Sequence, residues 1–259
     1  MKLTITELQN IESDIIKEFV EICKRNSIDY YLAYGSVLGA VRHQGPIPWD
    51  ADADVIVPYN QMHKLIKCLR NELSDKYFLD YHDINKYYTA TFPRIGLKGY
   101  STMILHVDIF LLIGLPDNRE QQVEITNRLR KLIKMHFHKI ATPIYRGKMN
   151  IKEKIINAIY KTIYLPYNLK EIRKEFDTLC SLCSFDKSLY VANPSTNYLI
   201  RKIEKKSMYG KGRLMKYSGI DVIVPEKTEE YLTYLYDDYM KLPPKEERII
   251  NEFYYIKEL

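Results

Sequence analysis

Apolar residues recur along this chain with two different periods. Leu8, Ile11, Ile15, Phe19 and Ile22 are three or four apart, the spacing of one helical face. Thr6-Glu-Leu-Gln9 ahead of them reads as a capping box, so an amphipathic helix is predicted over about 7–25, ending near Asn26. The short aromatic and apolar run Asp29–Tyr34 predicts a strand, broken by Gly35-Ser36 and followed by a short helix, Val37–Arg42. Gln44–Trp49 holds Gly45, Pro46 and Pro48 and reads as a turn. Asp52–Val57 alternates and stops at Pro58, a second strand. Residues 60–73 return to helical spacing through Met62, Leu65, Ile66 and Leu69. Two more strands are predicted at Tyr87–Leu97 and Ile104–Ile113, then a charged helix from Arg119 to about Met135. Residues 145–185 are basic and helical, and Tyr231–Tyr239 forms a last helix before Pro243-Pro244.

Short strands cluster in the first half and helices dominate the second, which predicts an α+β fold. A mixed sheet flanked by helices would occupy about 1–115, with helical and C-terminal additions over 116–259. No internal repeat, low-complexity tract or flexible linker divides the chain, so 1–259 reads as a single domain.

Composition narrows the classes. With 259 residues and 46% hydrophobic content, the chain can bury a sizeable core. Lys and Arg exceed Asp and Glu by 39 to 33, a net +6 that suits polyanionic ligands such as nucleotides or an anionic membrane surface. No nucleic-acid-binding module is present, so no nucleic-acid partner is expected. No apolar run approaches the roughly 20 residues of a membrane span, and the start carries no secretion pattern. Of Cys23, Cys68, Cys180 and Cys183, only the last two form a CxxC pair, with no second pair to complete a zinc site. Reduced thiols and a cytoplasmic location are expected.

Candidate chemistry sits in Tyr34–Arg42 and Trp49–Val55. Asp52 and Asp54 are two apart on a predicted strand and so share a face. Carboxylates so placed repel unless a cation lies between them, and hard divalent ions take oxygen ligands. Asp50 has the same parity and reads as a ligand, a supporting residue or a turn residue. Asp108 lies in the otherwise apolar strand His106-Val-Asp-Ile-Phe110, where an ionised carboxylate needs a partner. That partner is a metal shared with Asp52 and Asp54, or a neighbouring Lys or Arg. Gly35 and Ser36, between strand and helix, offer a phosphate-binding turn with a hydroxyl, or only a helix cap. Gly39 permits close backbone approach, and Arg42 could pair a phosphate. Arg94 reads either as facing donor phosphates or as a solvated strand residue.

In this order, Gly35-Ser-Val-Leu-Gly-Ala-Val-Arg-His43, Ile47-Pro-Trp-Asp-Ala-Asp-Ala-Asp54 and His106-Val-Asp-Ile-Phe110 resemble the LicD family of bacterial phosphocholine transferases. That family has the polymerase-β-type nucleotidyltransferase superfold, with the fukutin-type transferases as relatives. The likeness returns at Ile220–Pro225 and Glu229–Met240. Two positions depart from it: Ala51 replaces the middle of three usual aspartates, and Ser36 stands where Thr is usual. The resemblance implies a magnesium-dependent (or manganese-dependent) phosphotransferase. The donor would be a CDP-alcohol such as CDP-choline, and the acceptor a hydroxyl of a cell-surface glycan or its lipid-linked precursor. It also implies Asp52, Asp54 and Asp108 as metal-binding and catalytic residues, with Gly35, Ser36, Gly39 and Arg42 around the donor. The alternatives are a nucleotidyltransferase acting on a small hydroxylated substrate, or a catalytically silent nucleotide-binding protein.

Lys148–Leu165 carries Ile151, Ile155, Ile159 and Ile163 four apart among lysines. Packing of that face on the core is the expectation, with peripheral contact at an anionic inner membrane face as the alternative. His136 and His138 have no carboxylate at metal spacing nearby and are expected to have a structural or surface role.

Overall fold

The computed structural model describes residues 1–140, 150–195, 203–248, 251 and 253–258. The strands are β1 (Lys2–Leu3), β2 (Tyr31–Leu32), β3 (Ala53–Pro58), β4 (Tyr77–Asp80), β5 (Arg94–Leu97), β6 (His106–Leu115), β7 (Tyr190–Ala192), β8 (Ile203–Lys205), β9 (Arg213–Tyr217), β10 (Ile220–Val224) and β11 (Tyr254–Tyr255). The helices are α1 (Ile5–Arg25), α2 (Tyr34–His43), α3 (Met62–Glu72), α4 (Arg119–Ile140), α5 (Ile151–Ile163), α6 (Leu169–Cys180) and α7 (Thr228–Tyr236).

The expected mixed sheet is present. Its strands run β2-β3-β6-β5-β4, and β7 and β8 extend it from the far end of β6. The β3–β6 pair is parallel and the other pairs are antiparallel. β6 is covered on both faces, which is why it reads as a nearly unbroken apolar run. Val55, Ile56, Val57, Ile109, Leu111 and Ile113 form the centre of the core.

Element boundaries moved where side chains found better partners than the pattern showed. The capping box of α1 is Thr4 with Glu7, two residues earlier than the Thr6–Gln9 reading. Gln9 instead donates to the carbonyls of Ile47 (2.9 Å) and Asp50 (2.7 Å), tying α1 to the turn before β3. α2 begins at Tyr34, so Gly35 and Ser36 lie in its first turn and not in a break before it. β4 and the β9–β10 hairpin were not anticipated. The hairpin turns on Ser218-Gly219, both at positive φ as a two-residue turn requires. Ser218 Oγ then accepts from Ser13 Oγ (3.0 Å) and its amide donates to the Gln44 carbonyl (2.7 Å), which seats the hairpin beside α1 and α2.

Both histidines of α4 are structural, as expected. His136 is 1% exposed, accepts from Arg173 at Nε2 (3.3 Å) and so donates from Nδ1 to the Thr89 carbonyl (3.2 Å). Burial, helped by His82 and Arg173, pushes it down to about 3. A histidine kept neutral this way stabilises the fold above its ordinary value near 6.5, and that contribution is lost as pH falls toward 3. Thermal melts should show His136→Gln losing less stability between pH 6 and 4 than the parent chain. An identical acid limb would place the sensitivity elsewhere.

Candidate active site

One polar row crosses the sheet. Asp80 of β4 pairs in register with Arg94 of β5, Arg94 with Asp108 of β6, and Asp108 with Asp54 of β3. Residues in register on neighbouring strands share a face, so this row brings Asp54 and Asp108 side by side. The row next to it is apolar throughout: Leu79, Ile95, Val107 and Ala53.

The charges in the row are compensated unevenly. Asp108 is 8% exposed and accepts from Arg94 Nε (2.6 Å) and from His106 Nε2 (3.2 Å). Burial acts to raise its carboxyl, but His106 and Arg94 outweigh it and hold Asp108 below the usual range. Arg94 is thus neither a solvated residue nor a free phosphate ligand, and the lone Asp of the apolar strand has a protein partner. Arg94 also donates to the Thr102 carbonyl (3.1 Å), and Thr102 donates to Asp80 (2.7 Å). Asp54 has no such pair. Burial, then Asp108, Asp52 and Asp50, push its carboxyl well above the usual value against the pull of Arg94. Asp50 is pushed up to about 6 by burial and Asp52, although the amides of Asp52 and Ala51 donate to it. Asp52 is exposed.

Sequence reading missed the fifth carboxylate. Glu12 of α1 is 2% exposed, and its Oε1 is buried with no hydrogen-bond partner among the described residues. Burial raises it strongly, followed by the charges of Asp52, Asp54, Asp50 and Asp108. Glu12 follows Ile11, four residues after Leu8 and three before Ile15, so it lies on the face that the helical pattern assigns to the core, but the pattern was read from its apolar members alone.

The residues expected around a donor have distinct structural tasks. A Cβ at Gly35 would meet Asp50 Oδ2 at 2.8 Å, so Gly35 makes room for that carboxylate. A Cβ at Gly39 would meet the Gly45 carbonyl at 2.4 Å; the close approach there is made by the chain's own turn. Ser36 is 2% exposed, accepts from the Asp54 amide (2.9 Å) and is hydrogen-bonded to Tyr217. It fastens α2 to β3 and offers no free hydroxyl. Arg42 donates from Nη1 to the Tyr239 carbonyl (3.0 Å) and leaves Nε buried without a partner. Arg248 acts on it from nearby and stacks over Trp49. Tyr236 is pushed up by burial and then by Asp54 and Asp50, and Arg42 acts against that shift.

Tyr34, at the junction of β2 and α2, has φ +47, a left-handed conformation unusual for a large side chain. Its amide donates to Tyr231 Oη (3.1 Å), its hydroxyl accepts from Asn193 (3.0 Å), and its ring meets Phe110 edge-on.

The stretch that holds Gly35, Ser36, Asp54 and Asp108 is also where a known family matches. Residues 27–150 match the family described as LicD/FKTN/FKRP, nucleotidyltransferase domain. The chain is 28% identical over 268 residues to the lipopolysaccharide cholinephosphotransferase LicD of Haemophilus influenzae, covering 95% of each chain. The chain is thus similar to the LicD family, through just under half of its length by the family match and nearly all of it by the Haemophilus relative. A shorter stretch of 50 residues is 42% identical to an uncharacterized protein of Rickettsia prowazekii, 19% of each chain. The mixed sheet flanked by helices is the LicD nucleotidyltransferase-type fold.

The family implies a divalent cation. Among the described residues, no three or more His, Cys, Asp or Glu side chains stand in an arrangement that could hold a metal ion. Asp108 is turned onto Arg94 and His106, and Asp50 onto backbone amides. The donor set still suits a hard cation by its chemistry. All donors are oxygens, they repel one another, and the Glu12 oxygen among them is buried and unsatisfied.

Proposed function

We propose that the chain transfers a phospho-alcohol group, phosphocholine in the first instance, from a CDP-activated donor to a hydroxyl of a cell-surface glycan or its lipid-linked precursor. The observation that carries this reading is the row that sets Asp54 beside Asp108, in a chain similar over nearly its full length to a lipopolysaccharide cholinephosphotransferase. In it, Asp52, Asp54 and Asp108 would hold Mg²⁺ or Mn²⁺, which would supply charge neutralisation at the diphosphate and the leaving phosphate.

The protein's own groups account for the rest. Asp108, kept ionised by Arg94 and His106, serves as a ligand and is a poor proton acceptor. Asp50, with its carboxyl raised toward neutrality, suits the proton of the acceptor hydroxyl. The hydroxyl oxygen bonds to the β-phosphorus, the bond from that phosphorus to the bridging oxygen breaks, and CMP leaves. Arg42, whose Nε is buried without a partner among the described residues, is the candidate to meet the donor's phosphates.

The test is product analysis with CDP-choline, Mg²⁺ and a glycan acceptor. CMP release that needs the cation and drops at least about 10²-fold in Asp52→Asn is expected. CMP from CDP-ribitol or CDP-glycerol alone would keep the mechanism and change the cargo. Pyrophosphate from a nucleoside triphosphate, with a nucleotidylated acceptor, would replace phosphotransfer by nucleotidyl transfer.

A further inference from the structure

The isoleucine face of α5 does not pack on the core, contrary to expectation. The helix is well defined: Asn150 caps it, accepting from the Glu153 amide (2.9 Å), while the Glu153 carboxylate returns to the Asn150 amide. It rests on α4 by its other side. Asn157 and Tyr164 are buried there, Asn157 bonds His138 (2.9 Å), Tyr160 stacks on His138, and Lys139 donates to the Tyr164 carbonyl. The opposite arc carries Ile151, Ile155, Ile156, Ile159 and Ile163, with Leu165 just beyond, each between 41% and 77% exposed.

Such a run of large aliphatic side chains in water is unusual for a surface helix, and contiguous exposed apolar patches mark interaction sites. Its charge is one-sided. Lys152 falls within the arc at helical spacing, and Lys154 and Lys161 lie roughly 60° and 80° beyond its Ile151 edge, between the arc and the side that faces α4. The nearest acid, Glu153, is spent on the cap. Thirteen residues make a helix of roughly 20 Å, too short to span a hydrocarbon core of about 30 Å. No helix among the described residues is long and apolar enough to cross a membrane.

We propose that α5 lies flat on an anionic lipid surface, its isoleucines in the acyl boundary and Lys152, Lys154 and Lys161 at the headgroups. The arc is a ridge on the outside of one helix, not a groove, so a deformable partner suits it better than a shaped one. A second copy would set lysine-bearing ridges against each other; an anionic bilayer complements both the apolar arc and its lysines. This inference stands apart from the identity of the donor or the acceptor.

The test is co-sedimentation of the full chain with vesicles of phosphatidylcholine alone, or with phosphatidylglycerol added to roughly a third. The chain is expected to partition at least about tenfold more strongly to the anionic vesicles, and less so at high salt. The pair Ile155→Gln with Ile159→Gln keeps helix propensity and should lower partitioning at least about tenfold, with an unchanged circular-dichroism melt. Parent chain left in the supernatant with anionic vesicles would overturn the proposal, as would equal partitioning of the double variant. A dimer in sedimentation equilibrium that the double variant turns into monomer would assign the ridge to a second copy instead.

Discussion

Asp54→Asn should lose at least about 10²-fold in transfer rate while melting higher than the parent chain in cation-free buffer. The two effects have one origin. Asp54 is pushed up by burial and by Asp108, Asp52 and Asp50, and Arg94 is already committed to Asp108. An amide of the same shape removes that repulsion, and a gain of about 1 kcal/mol would raise the melting temperature by roughly 2 to 4 °C in a chain of this size. The sign of the pH dependence follows. A carboxyl with a raised value in the fold binds its proton more tightly than in the unfolded chain. The contribution of such a carboxyl to stability is therefore greatest at low pH and declines as pH rises through the raised value. Asp50, at about 6, sets the window between its ordinary value near 4 and neutrality. Asp54→Asn should flatten that decline, and Glu12→Gln should do the same from the α1 side. If Asp54→Asn melts lower than the parent at neutral pH without cation, the picture of uncompensated carboxylates is wrong.

Arg94→Met should be the most destabilising single change in the site, costing about 3–5 kcal/mol, because it strands Asp108 in the sheet without its guanidinium. Here the pH signs oppose each other. In the parent chain Asp108 is held low, so its contribution is present above the ordinary carboxylate range and lost as pH falls. In Arg94→Met the same carboxyl has lost a cation and is buried, so acid that protonates it should recover part of the loss. Denaturant unfolding of the parent, Arg94→Met, Asp108→Asn and the double variant would measure the coupling. A double variant as unstable as the sum of the singles would show that the pair does not act as a unit.

The order of helices and the two strands that build the centre were readable because their signals are local. Leu8 to Ile22 repeats at one period, and Asp52 to Val57 alternates and ends at Pro58. The aspartates of the site were readable for the same reason: a charge in the apolar run around Asp108 is costly and so stands out. Their partners were not. Arg94 reaches Asp108 only because β5 and β6 pair in one particular register, and register between strands separated in sequence leaves no local mark. Glu12 was hidden by its helix, since a single acid on an apolar face resembles a solvated edge residue until the helix is docked. Ser36 looked like a ligand because a hydroxyl beside a glycine suits phosphate; the Asp54 amide, eighteen residues on, took that oxygen first. The isoleucines of α5 show the converse, since the amphipathic period is the same whether the apolar arc faces a core or a lipid surface.

The left-handed backbone at Tyr34 divides the substitutions open to that position into two separate groups. Glycine adopts this conformation freely and would relieve the backbone, at the cost of the Asn193 and Phe110 contacts. Tyrosine bears the backbone cost and keeps both. Alanine or valine would have the strain without the contacts, so the route between the two good solutions passes through poor ones. A substitution tolerated at this junction is therefore expected to be glycine or another large aromatic residue, with nothing intermediate between them.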